Sequence, residues 1–157
     1  MSPDGVHPDE DFARRFQVFT GFRDNDYHPF VWVLGNPSIG ENVYIGGFSE
    51  INASGANVSI GDGCDIASFV SINCADSHLA TIGLQDDVVR RDIEIGNNVF
   101  VGSHCVIKGG VTIGHHTVVA AGTVVDAGVI PPYSLVSGNP MAVRPGYYTI
   151  EDQRRET

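Results

Sequence analysis

The chain has 157 residues, room for one domain with a sizeable core. Nineteen acidic residues against nine basic ones leave a net charge of −10, which excludes a polyanion-binding surface over the whole molecule; a local cluster such as Arg90–Arg91 or Arg144 can still hold phosphate. No apolar run approaches the ~18 residues of a membrane span, and the opening MSPDGVHPDED lacks the basic start of a secretory signal, so a cytoplasmic protein is expected.

Residues 1–32 precede any repeat. Within them Pro8, Asp9 and Glu10 open a helix that ends near Gly21, with Phe12, Phe16 and Phe19 on one face to pack against the rest of the domain. From Val33 an aliphatic residue then recurs at every sixth position: Val33, Ile39, Ile45 and Ile51, followed three residues out of phase by Ile60, Ile66 and Ile72. A last run holds Ile95, Val101, Ile107, Ile113, Val119 and Val125, and Gly96, Gly102, Gly114 or Ala120 directly follows four of these. The fourth residue after each is small or β-branched: Val99, Cys105, Val111, Thr117, Thr123 and Val129.

A period of six belongs neither to a helix nor to a plain sheet. It marks an all-β solenoid in which each hexad makes one short strand and three hexads close a triangular coil of about 18 residues. Ile95 then stacks on Ile113, Val101 on Val119 and Ile107 on Val125. Thirteen hexads give about four coils over residues 33–130. Cys64 and Cys105 fall in the small-residue column and read as reduced core side chains, with no CxxC pair in the chain. From Pro131 the period fails, and residues 131–157, with Pro131–Pro132 and Gly138–Asn139–Pro140, read as an extended tail folding back along the coils, with a short helix after Tyr148.

The repeat stops after Ser77 and restarts at Ile95, so residues 78–94 form an extruded loop. Long loops inside compact domains are commonly functional. His78 stands at its root, and imidazole is the side chain best matched to general-base work near neutral pH. His7 and His28 lie outside the repeats, whereas His104, His115 and His116 take outward positions and read as exposed. Glu50, Asn52 and Ser54 near the phase shift, with Asp76, are the expected acceptor contacts. The outward residues Phe100, Val106, Val118, Val124 and Ile130 form exposed apolar columns that a symmetric oligomer would cover.

The segment from Ile95 to Gly114, followed by Ala120–Val125, Ile130–Pro132 and Gly138–Pro140, resembles the hexapeptide-repeat acyltransferases, in particular the galactoside and maltose O-acetyltransferases and related sugar acetyltransferases. The likeness covers about residues 33–145. It implies a left-handed parallel β-helix, a homotrimer with active sites between subunits, and acetyl-CoA as acyl donor, with no metal. His78 matches the family's catalytic histidine. Ser103 matches the residue whose backbone N–H lies near the thioester carbonyl, and Ala121 and Gly122 match the small pair beside the pantetheine arm. Phe100 replaces the usual tryptophan. Asp126–Ala127 stand where Thr-Lys is common, and Ala142 stands where a basic residue is usual, which leaves Arg144 as the nearby cation for the nucleotide end.

The implied activity is acetyl transfer to a sugar hydroxyl or amine, nucleotide-linked sugars included, without a covalent acyl-enzyme. Two rival classes carry less of the pattern. One carbonic anhydrase family binds zinc through three histidines on this solenoid; His78 and His115 are roughly placed for two of them, but position 120 is Ala. A non-catalytic assembly module would have no use for a histidine-rooted loop together with the Ser103 and Ala121 motif.

Overall fold

The computed structural model describes residues 10–21, 25–27 and 30–149. Three walls of parallel strands enclose one narrow core. The first wall stacks Trp32–Gly35, Glu50–Ala53, Ser71–Asn73, Val106–Lys108 and Val124–Val125. The second stacks Ser38–Ile39, Val58–Ile60, Ile93–Ile95, Val111–Ile113 and Gly128–Ile130. The third stacks Tyr44–Ile45, Asp65–Ile66, Phe100–Val101, Val118–Val119 and Leu135–Ser137, with Ala142–Arg144 added antiparallel at its end. The fold class is the expected β-solenoid of hexapeptide coils, and Ile95 pairs with Ile113, Val101 with Val119 and Ile107 with Val125. Each buried aliphatic side chain removes surface worth roughly 1.5–3 kcal/mol from water.

Two expectations change. Each wall holds five parallel strands, so there are five coils and not four. The parallel walls also continue past residue 130: Ile130 pairs with Ile113 and Val136 with Val119, and both are core residues. Ile130 is therefore not part of an outward column. The step from Val125 to Ile130 is five residues instead of six, and the lost residue rotates Val129 outward, where it is 78% exposed. The other small-column residues are buried as expected, and their polar atoms are satisfied. Cys105 Sγ and Thr123 Oγ1 both donate to the Ala120 carbonyl, at 3.1 and 2.6 Å.

Every departure from a six-residue step falls at one corner, between the first and second walls. There the steps are 6 (Val33 to Ile39), 9 (Ile51 to Ile60), 23 (Ile72 to Ile95), 6 (Ile107 to Ile113) and 5 (Val125 to Ile130). At the other two corners every step is six. Length change at a single corner leaves the inter-coil hydrogen bonds in register, so this corner can carry loops without disturbing the core.

The corner between the third and first walls carries a different device. Phe30, Phe48, Phe69 and His104 stack at successive ring separations of 5.4, 5.3 and 4.9 Å. Phe48, Phe69 and His104 sit at φ of 63°, 61° and 60°, a left-handed backbone that costs a non-glycine residue about 1–2 kcal/mol, which the ring stack helps offset. Gly122 occupies the next rung.

Helix α1 spans Glu10–Thr20 and stops at Gly21, whose φ of 73° and N–H bond to the Gln17 carbonyl close the last turn. Phe16 meets Phe30 edge-on at 6.3 Å and Phe12 stacks on Phe16. Phe19 is 91% exposed, so it does not join the packed face. Pro8, Asp9 and the helix expected after Tyr148, from residue 150 on, lie outside the described residues. No described helix is long and apolar enough to cross a membrane.

Candidate active site

The extruded segment leaves the first corner in the third coil as a small ribbon. Ala75–Asp76 pairs antiparallel with Val89–Arg90, and the Arg91 N–H donates to the Cys74 carbonyl at 3.0 Å. Between the two strands, His78–Thr81 forms a four-residue helix, α2, whose Thr81 N–H and hydroxyl both donate to the Ser77 carbonyl. The second wall resumes at Ile93. The loop thus has an ordered root and runs over 75–92, starting three residues before and ending two residues before the expected 78–94.

His78 is exposed, and its Nδ1 contacts the Asp76 carboxylate. The same carboxylate oxygen accepts the His78 backbone N–H at 3.2 Å. These hydrogen bonds from His78, the side-chain one first, hold the Asp76 carboxyl below the ordinary carboxylate range. An ionised carboxylate only accepts hydrogen bonds, so Nδ1 carries a proton, and in the neutral imidazole Nε2 is then the nitrogen with the lone pair. That is the arrangement of an oriented general base. Asp76, expected as an acceptor contact, lies against the imidazole and also lines the groove beside it.

Beside this pair, the outer face of the first wall and the ribbon enclose a groove of about 460 Å³. Asn73, Lys108, Asp76, Arg91, Asp126 and Ala127 are among its walls. Lys108 Nζ and Asp126 Oδ1 form an ion pair at 2.8 Å, each about half exposed. Asn52 Nδ2 donates to Asn73 Oδ1 at 3.2 Å, so Asn52 supports the groove from one coil away, and Glu50 pairs in register with Ser71, a groove residue. Ser54 is tied down through its N–H to Asn52 Oδ1 and its carbonyl to Arg90. Asn73 and Lys108 were not singled out from the sequence as site residues, and Arg91 only as half of a basic pair able to hold phosphate. The first two directly follow Ile72 and Ile107, the same outward position that Asn52 takes after Ile51.

Ser103, Ala121 and Gly122 are at the opposite border of the first wall. The Gly122 N–H donates to the Ser103 carbonyl at 2.9 Å, Ala121 is exposed, and a Cβ on Gly122 would meet open space. That leaves a shelf without side chains. Arg144 is further off, on the end strand of the third wall, its guanidinium 5.9 Å from the Tyr147 ring. Within one chain, then, the shelf and the histidine do not converge.

Burial pushes the thiols of Cys64 and Cys105 up, which keeps them protonated, and all three cysteines are free. His104 and His115 are exposed as expected, whereas His116 is half-buried and stacks on Tyr133 at 5.0 Å. His115 belongs to the corner between the second and third walls, away from His78, and among the described residues no three His, Cys, Asp or Glu side chains cluster to hold a metal.

Residues 92–127 match the model of bacterial transferase hexapeptides (six repeats), and residues 38–74 match that of the hexapeptide repeat of succinyl-transferase. Galactoside O-acetyltransferase of Escherichia coli (strain K12) is 33% identical over 132 residues, covering 76% of this chain and 64% of the enzyme, so the chain spans a little under two thirds of that relative. A solved galactoside acetyltransferase in complex with coenzyme A superposes with a TM-score of 0.69 at 30% identity, covering 95% of this chain and 76% of that one. The maltose O-acetyltransferase of Clostridium difficile 630 shares the fold, with a TM-score of 0.60 at 24% identity over 87% of this chain and 84% of its own.

Proposed function

Because the chain belongs to the hexapeptide-repeat transferase family, we propose that it is an acetyl-CoA-dependent acetyltransferase acting on a hydroxyl or amine of a sugar. The observation that carries this reading is His78, oriented by Asp76 beside a groove on the first wall. The donor supplies an acetyl thioester. Neutral His78 takes the acceptor's O–H or N–H proton at Nε2 while the oxygen or nitrogen bonds to the carbonyl carbon. As the C–S bond breaks, the imidazolium returns that proton to the sulfur. The Ser103 backbone N–H meets the charge developing on the carbonyl oxygen, an interaction whose loss costs roughly 10²–10³ in rate. Glu50, Asn52 and Asp76 border the acceptor.

The flat shelf of Ala121 and Gly122 suits an extended pantetheine chain. At the nucleotide end Arg144, on the end strand of the third wall, supplies charge, since Asp126 is already paired with Lys108 and Ala127 carries none. A homotrimer would bring one subunit's shelf to another's histidine, and it would cover the partly exposed apolar pairs Phe100–Val118 on the third wall and Val106–Val124 on the first. The cytoplasm suits this reading, because the donor is made there and the three cysteines are unpaired.

The test is a mass-spectrometric acetyl-transfer screen over free and nucleotide-linked sugars and amino sugars. Mass gain of one acetyl group, lost in His78→Asn, is the expected result. No transfer to any acceptor, with no thermal shift on adding CoA, would leave a non-catalytic solenoid. Sedimentation equilibrium reporting a monomer at micromolar concentration would remove the trimer.

A further inference from the structure

The adjacent arginines Arg90 and Arg91 leave the ribbon on opposite faces, as neighbours on a strand do. Arg90 turns back over the three-residue insertion of the second coil. Its Nη1 donates to the Ser54 carbonyl at 2.6 Å and its stem covers Gly55, where an added Cβ would stand 2.6 Å from Arg90 Cδ. That arginine is consumed by structure. Arg91 lines the groove. A Cβ on Gly109 or on Gly110 would come within 3.2 Å of the Arg91 stem, so the two glycines at this corner of the fourth coil form the bed on which that stem lies. Its backbone is held as well, through the N–H bond to Cys74.

Each of the other charged groove side chains has a partner: Asp76 has His78, and Lys108 has Asp126. Arg91 enters none of the ion pairs among the described residues. An arginine whose stem is bedded while its guanidinium enters none of these ion pairs, in a groove of a chain with net charge −10, suits recognition of an oxyanion supplied from outside. Along the ribbon, Cys74, opposite Arg91, is two residues from Asp76, a rise of about 7 Å. One hexose ring with a substituent bridges that span.

We propose that the acceptor is an anionic sugar, bearing a phosphate or a carboxylate, and that Arg91 selects it by gripping this group while the reacting hydroxyl or amine faces His78. This rests on the acetyltransferase reading and adds the acceptor's charge to it.

The test compares a neutral hexose, its 6-phosphate and the corresponding hexuronate as acceptors for the full chain with acetyl-CoA. Titration calorimetry of the same three sugars runs in parallel, as a readout that needs no turnover. In the wild type, kcat/KM for one of the charged sugars should exceed that of the neutral sugar by about 10- to 100-fold; which one identifies the oxyanion. Arg91→Gln should bring the charged-to-neutral ratio close to one, and Arg91→Lys, which keeps the charge and loses the fork, should restore part of it. Equal rates for charged and neutral sugars in the wild type overturn the proposal and leave acetyl transfer standing. So does an Arg91→Gln variant with raised KM for acetyl-CoA but unchanged KM for acetyl-pantetheine, since the cation then serves the donor's phosphates. If no sugar is acetylated, Arg91-dependent binding of a charged sugar still supports the anion site while the transfer reading fails. Absence of that binding overturns both.

Discussion

Replacing residues 74–92 by Gly-Gly should remove acetyl transfer and leave the solenoid folded. The substitution gives the third coil the corner of the fourth, Lys108–Gly109–Gly110–Val111, and makes Ile72 to Ile95 a six-residue step. Little is lost from the core, because Cys74 is the one buried side chain removed and α2 contains none. The Arg90 bond to Ser54 and the Asp92 carboxylate bonds to Asn57 also go, at about 1 kcal/mol each for partly exposed groups. Against this, shortening the loop about eightfold, three doublings, lowers the closure entropy by about 2 kcal/mol. The two effects nearly cancel, so urea unfolding should give a stability within about 2 kcal/mol of the parent, with the transition still cooperative. Acetyl transfer should fall to background, since His78 and Asp76 are gone. A trimmed chain that is unfolded, or weakened by more than about 4 kcal/mol, would refute the idea that this corner is independent of the core.

His78→Asn should lower kcat by roughly 10²–10⁴ with acetyl-CoA binding unchanged by calorimetry; a variant keeping most of its rate would demote the residue to a substrate contact. Ile113→Asp places an unpaired charge in a core column between Ile95 and Ile130, a penalty of several kcal/mol against a total of about 5–15, so circular dichroism should show loss of β structure. Asp76 titrates lower in the folded chain than its ordinary value of 3.8, so its pairing with His78 favours the folded state above that pH and the contribution vanishes as pH falls through the folded value. Asp76→Asn should flatten that acid limb of the stability profile, and an unchanged limb from pH 5 downward would show that the pairing does not form in solution.

The hexad columns are legible in the sequence because each coil repeats one local geometry, and the stacking of Ile95 on Ile113 follows from counting. Counting fails where a single residue drops out. The five-residue step at Gly128 hid the last coil, with Ile130 and Val136, since inter-coil hydrogen bonding and not sequence spacing restores the register there. Phe30, Phe48, Phe69 and His104 are separated by 18, 21 and 35 residues, intervals that look unrelated until the first-corner insertions are placed. Phe19, on the expected apolar face of α1, faces water, whereas Phe16 meets Phe30 and Phe12 stacks on Phe16.

By itself the sequence determined the solenoid, the wall-to-wall core, the place of the one large loop and the histidine at its root, all of which depend on periodicity and on where it breaks. Only the tertiary structure decided that Asp76 orients His78, that Arg90 is spent on Ser54 while Arg91 lines the groove, and that Lys108 neutralises Asp126. Asp76 and His78 are two residues apart and meet because the chain turns from the ribbon strand into α2, whereas Arg90–Ser54 and Lys108–Asp126 join residues on different coils. The last two distances are set by coil stacking and strand pairing, which no spacing along a single strand encodes.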